Sequence, residues 1–375
     1  MDFSTLSVHG GSMKDENAGA VVNPIYLSTT FERGPLGEIG PKGYMYSRVG
    51  NPNRTALEKL LATMEAGAEA MAFSSGMAAA QAIFQGVLKP GDHVLISDDC
   101  YHGVVHLLSS QYPRWNVSFS SVDMTEVSNV AAAFRPETTM ILMETPSNPL
   151  LKIADIAAIA RLARERGITS VCDNTWATPY NTQPLELGVD LVFHSTTKYF
   201  GGHSDILGGC VISKLSDERC ARIRDYQFCG GAVQAPFDCW LLIRSMATMP
   251  LRIRQQTESA ALIAERLATH PKVEKVFYPG LKSHINHEVA KAQMKNGFGA
   301  MLSIQVRGNQ SDAMKFAAAL KIFKHATSLG GVESLIEHRL TAEGIHAKSP
   351  ENLMRISVGI EGADDLLKDL LQALG

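Results

Sequence analysis

Short apolar runs alternate with helical patterns through the first two-thirds of the chain. The runs are rich in Val, Ile and Leu, are bounded by turn residues, and lie at 93–97, 139–144, 168–173, 190–194 and 208–213. Apolar residues at helical spacing separate most of them, as at 154–166, where Ile156, Ile159 and Ala163 share one face. This alternation predicts an α/β fold with a mostly parallel sheet and helices on both of its faces.

The pattern changes near residue 240. A helical stretch at 238–269 is followed by strand candidates at 273–277, 300–306 and 353–358 and by a final helix at 364–374, which together predict a smaller α+β domain. The first fifty residues are rich in Gly and Pro and lack sustained periodicity, and order is expected to begin at a helix capped by Asn53. The predicted divisions are an arm at 1–50, a large domain at 51–240 and a C-terminal domain at 241–375.

Length, charge and cysteine usage exclude several classes of protein. A chain of 375 residues is longer than one hydrophobic core usually supports. Its 35 basic and 38 acidic residues nearly balance, so there is no excess of positive charge to bind nucleic acid or an anionic membrane. The six cysteines form no C-x-x-C pair, which argues against a disulfide framework and a zinc ribbon. The most apolar window, 71–88, is interrupted by polar residues, and no secretory signal is visible at the N-terminus. We therefore expect a cytoplasmic enzyme.

A lysine follows one of the buried strands directly. Ser195-Thr196-Thr197-Lys198-Tyr199 comes after the strand at 190–194, where an ammonium group must be desolvated or neutralised. Such a lysine can have a lowered pKa and form a Schiff base with an aldehyde, although an ordinary surface lysine fits the same position. The S-x-x-K pattern of penicillin-recognising serine enzymes is also present, but the S-D-N and K-T-G elements that accompany it are missing from the sequence.

Three further segments place polar or small residues after strands. Asp173 closes the strand at 168–173, where it could pair with a pyridinium nitrogen or cap a turn. Gly76 and Met77 open a helix after a strand, so their backbone N–H groups suit a phosphate, and Ser195 and Thr197 could add hydroxyl donors. The segment lacks both the G-x-G-x-x-G and the Walker A patterns. Asn148 lies between two prolines that fix its loop.

Taken together, these segments resemble the Cys/Met-metabolism family of pyridoxal-phosphate (PLP) enzymes, the transsulfuration family that includes cystathionine γ-synthase. The resemblance extends nearly end to end, from Tyr46-Ser47-Arg48 to the run that ends at Glu361, and includes Gly202-His203-Ser204-Asp205 and Ser328-Leu329-Gly330-Gly331. It implies the type I fold of PLP-dependent transferases, like that of aspartate aminotransferase. It also implies an amino-acid substrate and a homodimer or homotetramer with shared active sites.

The resemblance also implies a role for each matching residue. Lys198 would bind PLP covalently and move protons, and Tyr101 would stack on the ring and assist catalysis. The implied cofactor-binding residues are Lys198, Asp173, Tyr101, Gly76, Met77, Ser195, Thr197, Asn148 and, from a neighbouring subunit, Tyr46 and Arg48. The implied substrate-binding residues are Arg355, Ser328, Asn148 and Thr327. Asp173 would face the pyridine nitrogen, and Arg355 would form a bidentate pair with the substrate α-carboxylate.

The sequence departs from the family at positions that concern substrate choice. Family members that handle cystathionine tend to have an acid, an arginine and a glutamate where this chain has Met45, His106 and Thr327. Methionine γ-lyases have a reactive cysteine where this chain has Gly103. The segment from Glu337 to Pro350 is shorter than in common members and lacks their Met-Thr-His signature. These departures predict a distal pocket without a partner for a second ammonium group.

The resulting hypothesis is γ-elimination or γ-replacement on an activated homoserine such as an O-acyl ester, with a nucleophile that need not be cysteine. A C–S lyase that cleaves cystathionine or cystine is the alternative, and Trp176 after Asp173-Asn174-Thr175 is a lyase-like feature. A non-catalytic relative is a third reading. The joint presence of Lys198, Asp173, Tyr101 and Arg355 argues against that reading, because an uncompensated lysine has no structural use there.

Overall fold

The computed structural model describes residues 1–40, 42–343 and 349–375. Its helices are α1 (Phe3–His9), α2 (Pro52–Met64), α3 (Gly76–Val87), α4 (His102–Gln111), α5 (Val127–Ala133), α6 (Ile156–Glu165), α7 (Thr178–Asn181), α8 (Glu218–Gly230), α9 (Pro236–Met246), α10 (Met249–Leu267), α11 (His287–Gln293), α12 (Gln310–Ala319), α13 (Arg339–Glu343) and α14 (Ala363–Leu374). Its strands are β1 (Glu69–Phe73), β2 (His93–Ser97), β3 (Ser118–Val122), β4 (Thr138–Glu144), β5 (Thr169–Asp173), β6 (Leu191–His194), β7 (Gly209–Ser213), β8 (Val273–Phe277), β9 (Met301–Val306), β10 (Lys324–His325), β11 (Leu335–His338) and β12 (Leu353–Ser357).

The large sheet has the strand order β1-β7-β6-β5-β4-β2-β3. Strands β2 to β6 run parallel, while β7 is antiparallel to both β1 and β6. Successive residues of β4 belong to different cores: Met140 and Leu142 pack on one face, and Ile141 and Met143 pack on the other. Helices therefore cover both faces, as the continuous apolar runs predict. The α/β fold class and the mostly parallel sheet are confirmed.

The smaller sheet has the order β10-β11-β12-β9-β8 and is antiparallel except for the β10–β11 pair. Apolar residues of α10, α12 and α14 pack on it in a separate core, in which Ile263, Phe316, Ile356 and Leu370 are buried. The two sheets account for the two predicted domains, and the boundary at residue 240 stays a prediction. Within the described part of the chain, we find no helix long and apolar enough to cross a membrane.

Three expectations about local structure were wrong. The arm contains the helix α1, whose N-cap Asp2 accepts a hydrogen bond from the backbone N–H of Ser4. The cap of α2 is Asn51 rather than Asn53, because Pro52 at the first helical position needs no N–H partner. The stretch at 238–269 is two helices, α9 and α10, and Pro250 near the start of α10 explains the interruption.

Candidate active site

A cavity of 470 Å³ opens where the large sheet faces the smaller one. The carboxyl ends of β4, β5 and β6 meet at this edge, which is where open α/β sheets bind ligands. Its lining includes the following predicted site residues: Gly76, Met77, Tyr101, Asn148, Asp173, Ser195, Thr197, Lys198, Thr327, Ser328 and Arg355. The structure thus brings together all of the predicted site residues except two.

Those two residues are Tyr46 and Arg48, which lie outside the cavity of their own chain. Arg48 donates to the carbonyl of Phe228 at 2.8 Å, and its guanidinium lies over the Phe228 ring at 4.9 Å from the centroid. The Tyr46 side chain is 41% exposed. The prediction that they serve a neighbouring subunit's site is not tested by a single chain.

The Lys198 side chain links the two sheets. It follows β6, and its Nζ donates a hydrogen bond to Ser328 Oγ at 2.7 Å. Burial and, to a lesser extent, the positive charge of Arg355 lower the pKa of Lys198 to about 8, although Glu337 opposes the shift. The amine is therefore neutral in an appreciable fraction of molecules near neutral pH, which suits attack on an aldehyde.

Two carboxylates are paired at the ends of adjacent strands. Glu144 and Asp173 are register partners on β4 and β5, and both are buried. Burial and the charge of Asp173 raise the pKa of Glu144 well above its ordinary value, since two like charges at one buried position disfavour each other. Burial also raises the pKa of Asp173, while hydrogen bonds from the Thr175 hydroxyl and N–H and the charge of His194 lower it. The Thr175 hydrogen bonds and the charge of His194 thus favour the charged form of Asp173.

A phosphate-sized cradle lies at the N-terminus of α3. Ser75 caps the helix by accepting the N–H of Ala78 through its hydroxyl, so the first N–H groups of the helix point into the cavity end. A Cβ atom on Gly76 would come within 2.9 Å of Ser195 Cβ, so only glycine allows this close approach. Thr197 lies nearby in the same lining, and its hydroxyl exchanges hydrogen bonds with the backbone of Gly208.

Tyr101 is held against the cavity by two neighbours. Its backbone N–H donates to Glu144 Oε2 at 2.6 Å. A Cβ atom on Gly103 would come within 2.4 Å of the Tyr101 ring, so the ring position depends on the missing side chain. Asn148 also lines the cavity, and its Oδ1 accepts a hydrogen bond from Arg355 at 3.0 Å.

Arg355 is a buried cation of the cavity lining. It lies on β12, is 5% exposed, and has Trp176 beside it, with the Trp176 ring centroid 5.9 Å from the guanidinium carbon. Burial lowers the pKa of Arg355 to about 10, which leaves it charged at neutral pH. Its Nη2 atom donates to the carbonyl of Ser328 at 3.1 Å. The arginine can therefore attract a carboxylate that enters the cavity.

Sequence reasoning missed two charged residues of the cavity, Glu337 and Arg339. Glu337 Oε2 lies 2.6 Å from Arg355 Nη2 and 2.7 Å from Arg339 Nη1. The alternation of Glu337, His338 and Arg339 at the end of a strand is a signal that could have revealed them, because residues two apart share one face.

The residues of this cavity fit PLP. A lysine with an accessible amine, a buried carboxylate whose charged form Thr175 and His194 favour, and a glycine-lined helix N-terminus are all present in one lining. These supply an aldehyde-binding amine, a counter-charge for the pyridine nitrogen and donors for a phosphate.

Known proteins support this assignment. The family model described as Cys/Met metabolism PLP-dependent enzyme matches residues 4–375. Cystathionine gamma-synthase of Mycobacterium tuberculosis is 46% identical over 99% of the chain and 96% of its own length. Cystathionine beta-lyase of Lactococcus lactis subsp. lactis is 43% identical over 99% of the chain and 98% of its own length. The crystal structure of metB from Corynebacterium glutamicum superposes with a TM-score of 0.96 at 44% identity, covering all of this chain and 98% of that one.

The fold and the cavity define a PLP-dependent enzyme of the type I fold. The match over nearly the whole chain is more specific: the chain belongs to the Cys/Met metabolism family of PLP-dependent enzymes. This confirms the resemblance, the enzyme class and the cofactor predicted from the sequence.

Proposed function

We propose that the protein catalyses γ-elimination and γ-replacement on an O-acyl-L-homoserine. The observation that carries this proposal is the engagement of every carboxylate among the described cavity residues. Glu144 accepts the backbone N–H of Tyr101, Asp173 accepts that of Thr175, and Glu337 is bound by two arginines. A second ammonium group, as in cysteine or cystathionine, would thus meet no available carboxylate in the described lining, whereas an uncharged acyl ester needs none.

The chain's own residues account for the chemistry. Bound PLP supplies an electron sink that stabilises negative charge at the substrate Cα and, after proton transfer, at Cβ. Lys198, with its lowered pKa, removes and returns protons at these carbons. Asp173 holds the proton on the pyridine nitrogen. Tyr101 packs on the ring and assists departure of the carboxylate leaving group when the Cγ–O bond breaks.

The remaining cavity residues bind and orient. The N–H groups of Gly76 and Met77 and the Ser195 hydroxyl would hold the phosphate, and the Thr197 hydroxyl would join them by giving up its bond to the Gly208 carbonyl. Asn148 keeps its Nδ2 group as a donor for the ring oxygen, since Oδ1 is bound to Arg355.

The substrate is held at its two ends. Arg355 binds the α-carboxylate beside Ser328, and Thr327 lies at the substrate's distal end. A small thiol or a carbon nucleophile suits this uncharged distal pocket better than cysteine does.

Incubation with O-acetyl-L-homoserine tests the proposal. Without an added nucleophile we expect release of acetate, 2-oxobutyrate and ammonia. With a small thiol we expect 2-oxobutyrate to be replaced by a thioether amino acid. The Lys198→Ala variant is the matched control and should release no acetate above the uncatalysed rate. Absence of acetate release from the unaltered enzyme would refute the proposal.

A C–S lyase is the second candidate. Trp176 in the cavity lining and the identity to a cystathionine beta-lyase support it. It predicts ammonia from L-cystathionine, together with either pyruvate and homocysteine or 2-oxobutyrate and cysteine. The same enzyme preparation should be assayed with both substrates at equal concentration, because the ratio of their kcat/KM values decides between the two candidates.

We also propose a homodimer or homotetramer in which Tyr46 and Arg48 complete the neighbouring site. The arm that carries them exposes large apolar residues, with Val21 100%, Leu36 96% and Leu27 69% exposed. Such a surface is costly in water and is usually covered. All six cysteines are free in the structure, in keeping with the proposed reducing, cytoplasmic location.

Complementation tests the shared site. Arg48→Ala and Lys198→Ala chains are each expected to be inactive, but a mixed dimer contains one site with both residues intact. Co-refolding of equal amounts should therefore restore about a quarter of the unaltered activity by random pairing. No recovery, although mixed dimers form, would show that each site is complete within one chain.

A further inference from the structure

Glu337 lies between two buried arginines inside the cavity. It is the direct cross-strand partner of Arg355 in the β11–β12 pair, and Arg339 begins the helix that follows β11. One oxygen, Glu337 Oε2, lies 2.6 Å from Arg355 Nη2 and 2.7 Å from Arg339 Nη1. All three side chains are at most 6% exposed.

This arrangement bears on how Arg355 can bind a carboxylate. The Nη2 atom of Arg355 already contacts Glu337 and the carbonyl of Ser328, and its Nη1 atom donates to Asn148. A substrate carboxylate that approaches the same guanidinium therefore meets a negative charge already bound there. If Glu337 and Arg355 were an isolated pair, their charges would cancel and the site would offer no net attraction.

Arg339 changes this balance. One oxygen of Glu337 is shared by two guanidiniums, so Arg355 does not hold that negative charge alone. The Trp176 ring beside Arg355 is apolar, so water screens these charges little.

We propose that Arg339 is a positioning residue for the substrate α-carboxylate. By binding the same Glu337 oxygen as Arg355 does, it keeps that carboxylate from neutralising Arg355 fully and holds it at a fixed place when the substrate enters. The inference rests on the proposed role of Arg355. Arg339 acts through Glu337, and the effect is specific to ligands with a negative charge at the α-position.

Two amino-acid ligands that differ only in this charge provide the test. L-alanine has an α-carboxylate, and L-alaninamide has a neutral carboxamide of nearly the same shape. Their dissociation constants for the PLP-loaded enzyme are measured from the change in cofactor absorbance, so the test does not depend on turnover or on the leaving group. The variants are Arg339→Met, Arg339→Lys, Glu337→Gln and Arg339→Met combined with Glu337→Gln. Arg266→Met, at an exposed position of α10, is the control.

We expect Arg339→Met to weaken L-alanine binding at least tenfold and L-alaninamide binding less than twofold. Arg339→Lys retains the charge and should stay within about threefold of the unaltered enzyme. Glu337→Gln removes the internal carboxylate, so adding it to Arg339→Met should restore L-alanine binding to within about threefold. If Arg339→Met does not fold, Glu337→Gln alone remains informative, because it should leave L-alanine binding as tight or tighter and L-alaninamide binding unchanged.

Equal weakening of both ligands by Arg339→Met would show a merely structural role and overturn the proposal, as would failure of Glu337→Gln to restore binding. The Arg355→Met variant separates this from failure of the proposed function. If that variant does not weaken L-alanine selectively, Arg355 does not bind the α-carboxylate, and both assignments fall. If it does while Arg339→Met has no effect, only the inference about Arg339 falls.

Discussion

Glu144 and Asp173 are directly paired at the carboxyl ends of two parallel strands, and both carboxylates are buried in the same cavity lining. They are distinguished by their neighbours. Asp173 accepts the N–H of Thr175 at 3.0 Å and is favoured in its charged form by His194, whose Nε2 contacts the buried Glu65 at 2.6 Å. Burial and the charge of Asp173 raise the pKa of Glu144 well above its ordinary value, while the Tyr101 N–H and Arg339 oppose that shift.

This difference predicts losses of kcat/KM of very different size for two isosteric substitutions. Asp173→Asn removes a charge worth about 4 kcal/mol against a pyridinium 4 Å away at an effective dielectric of 20, so we expect kcat/KM to fall by roughly a thousandfold. Glu144→Gln keeps the shape of the side chain and an oxygen that can accept the Tyr101 N–H, so it should reduce kcat/KM by less than about fivefold. Steady-state kinetics with equal cofactor loading measure both. Similar losses in the two variants would contradict the assignment.

Covalent capture of PLP by the apoenzyme should depend on the pKa of Lys198. Only the neutral amine attacks an aldehyde, and the lowered pKa of about 8 means that this form increases as the pH rises through 8. We expect the rate of capture to rise between pH 7 and 9 and to level off above that. Stopped-flow absorbance with Lys198→Ala as a control measures it. A rise that continues to about pH 10.5, the ordinary pKa, would show that the lysine is not perturbed.

Ser328 combines a hydrogen bond with an unfavourable backbone conformation. Its φ is +88°, a region that favours glycine, and its Oγ accepts a hydrogen bond from Lys198 Nζ. Ser328→Ala and Ser328→Gly both lose the hydroxyl, so each should lower kcat by about tenfold or more, as for a hydrogen bond to a charged group. Glycine relieves the strain, so Ser328→Gly should exceed Ser328→Ala in the free energy of unfolding by about 1 kcal/mol. Chemical denaturation and kinetics on the two variants separate the effects, and unequal kcat losses would contradict the hydroxyl's role.

Gly103 should be required for the position of the Tyr101 ring. Alanine normally stabilises a helix by about 1 kcal/mol relative to glycine, but here the added Cβ would come within 2.4 Å of the ring. Gly103→Ala is thus expected to leave the melting temperature within about 4 °C of its original value while lowering kcat about tenfold or more. Ser109→Ala, at an exposed position on the same helix, is the control. Unchanged kcat in Gly103→Ala would show that the ring does not need this position.

The sequence predicts the large sheet well because its strands are continuous apolar runs. Strand β2 has the predicted bounds, and β4 to β7 differ by one residue at most. Since the polar residues that follow such strands meet at one edge, Lys198, Asp173 and Asn148 could be placed in one site before the structure was known. Strand β3 escaped prediction because its Ser-Phe-Ser-Ser-Val sequence lies at the sheet edge and has no apolar run.

The charged network of the smaller sheet could not be predicted in the same way. Glu337 and Arg355 are 18 positions apart in sequence and meet only through the antiparallel register of β11 and β12. Strand β11 has four residues and no distinctive pattern, so its pairing depends on tertiary packing. The departure of this segment from the family pattern was visible in the sequence, but its consequence for Arg355 was not.

Peptide mass spectrometry after borohydride reduction of the PLP-loaded enzyme tests the central claim most directly. Reduction fixes the bond between the cofactor aldehyde and the amine that holds it. The account predicts a phosphopyridoxyl group on the peptide that contains Lys198, in about one copy per chain, and its loss in Lys198→Ala together with activity. A label on another lysine, or full activity in an enzyme that takes up no label, would contradict the account.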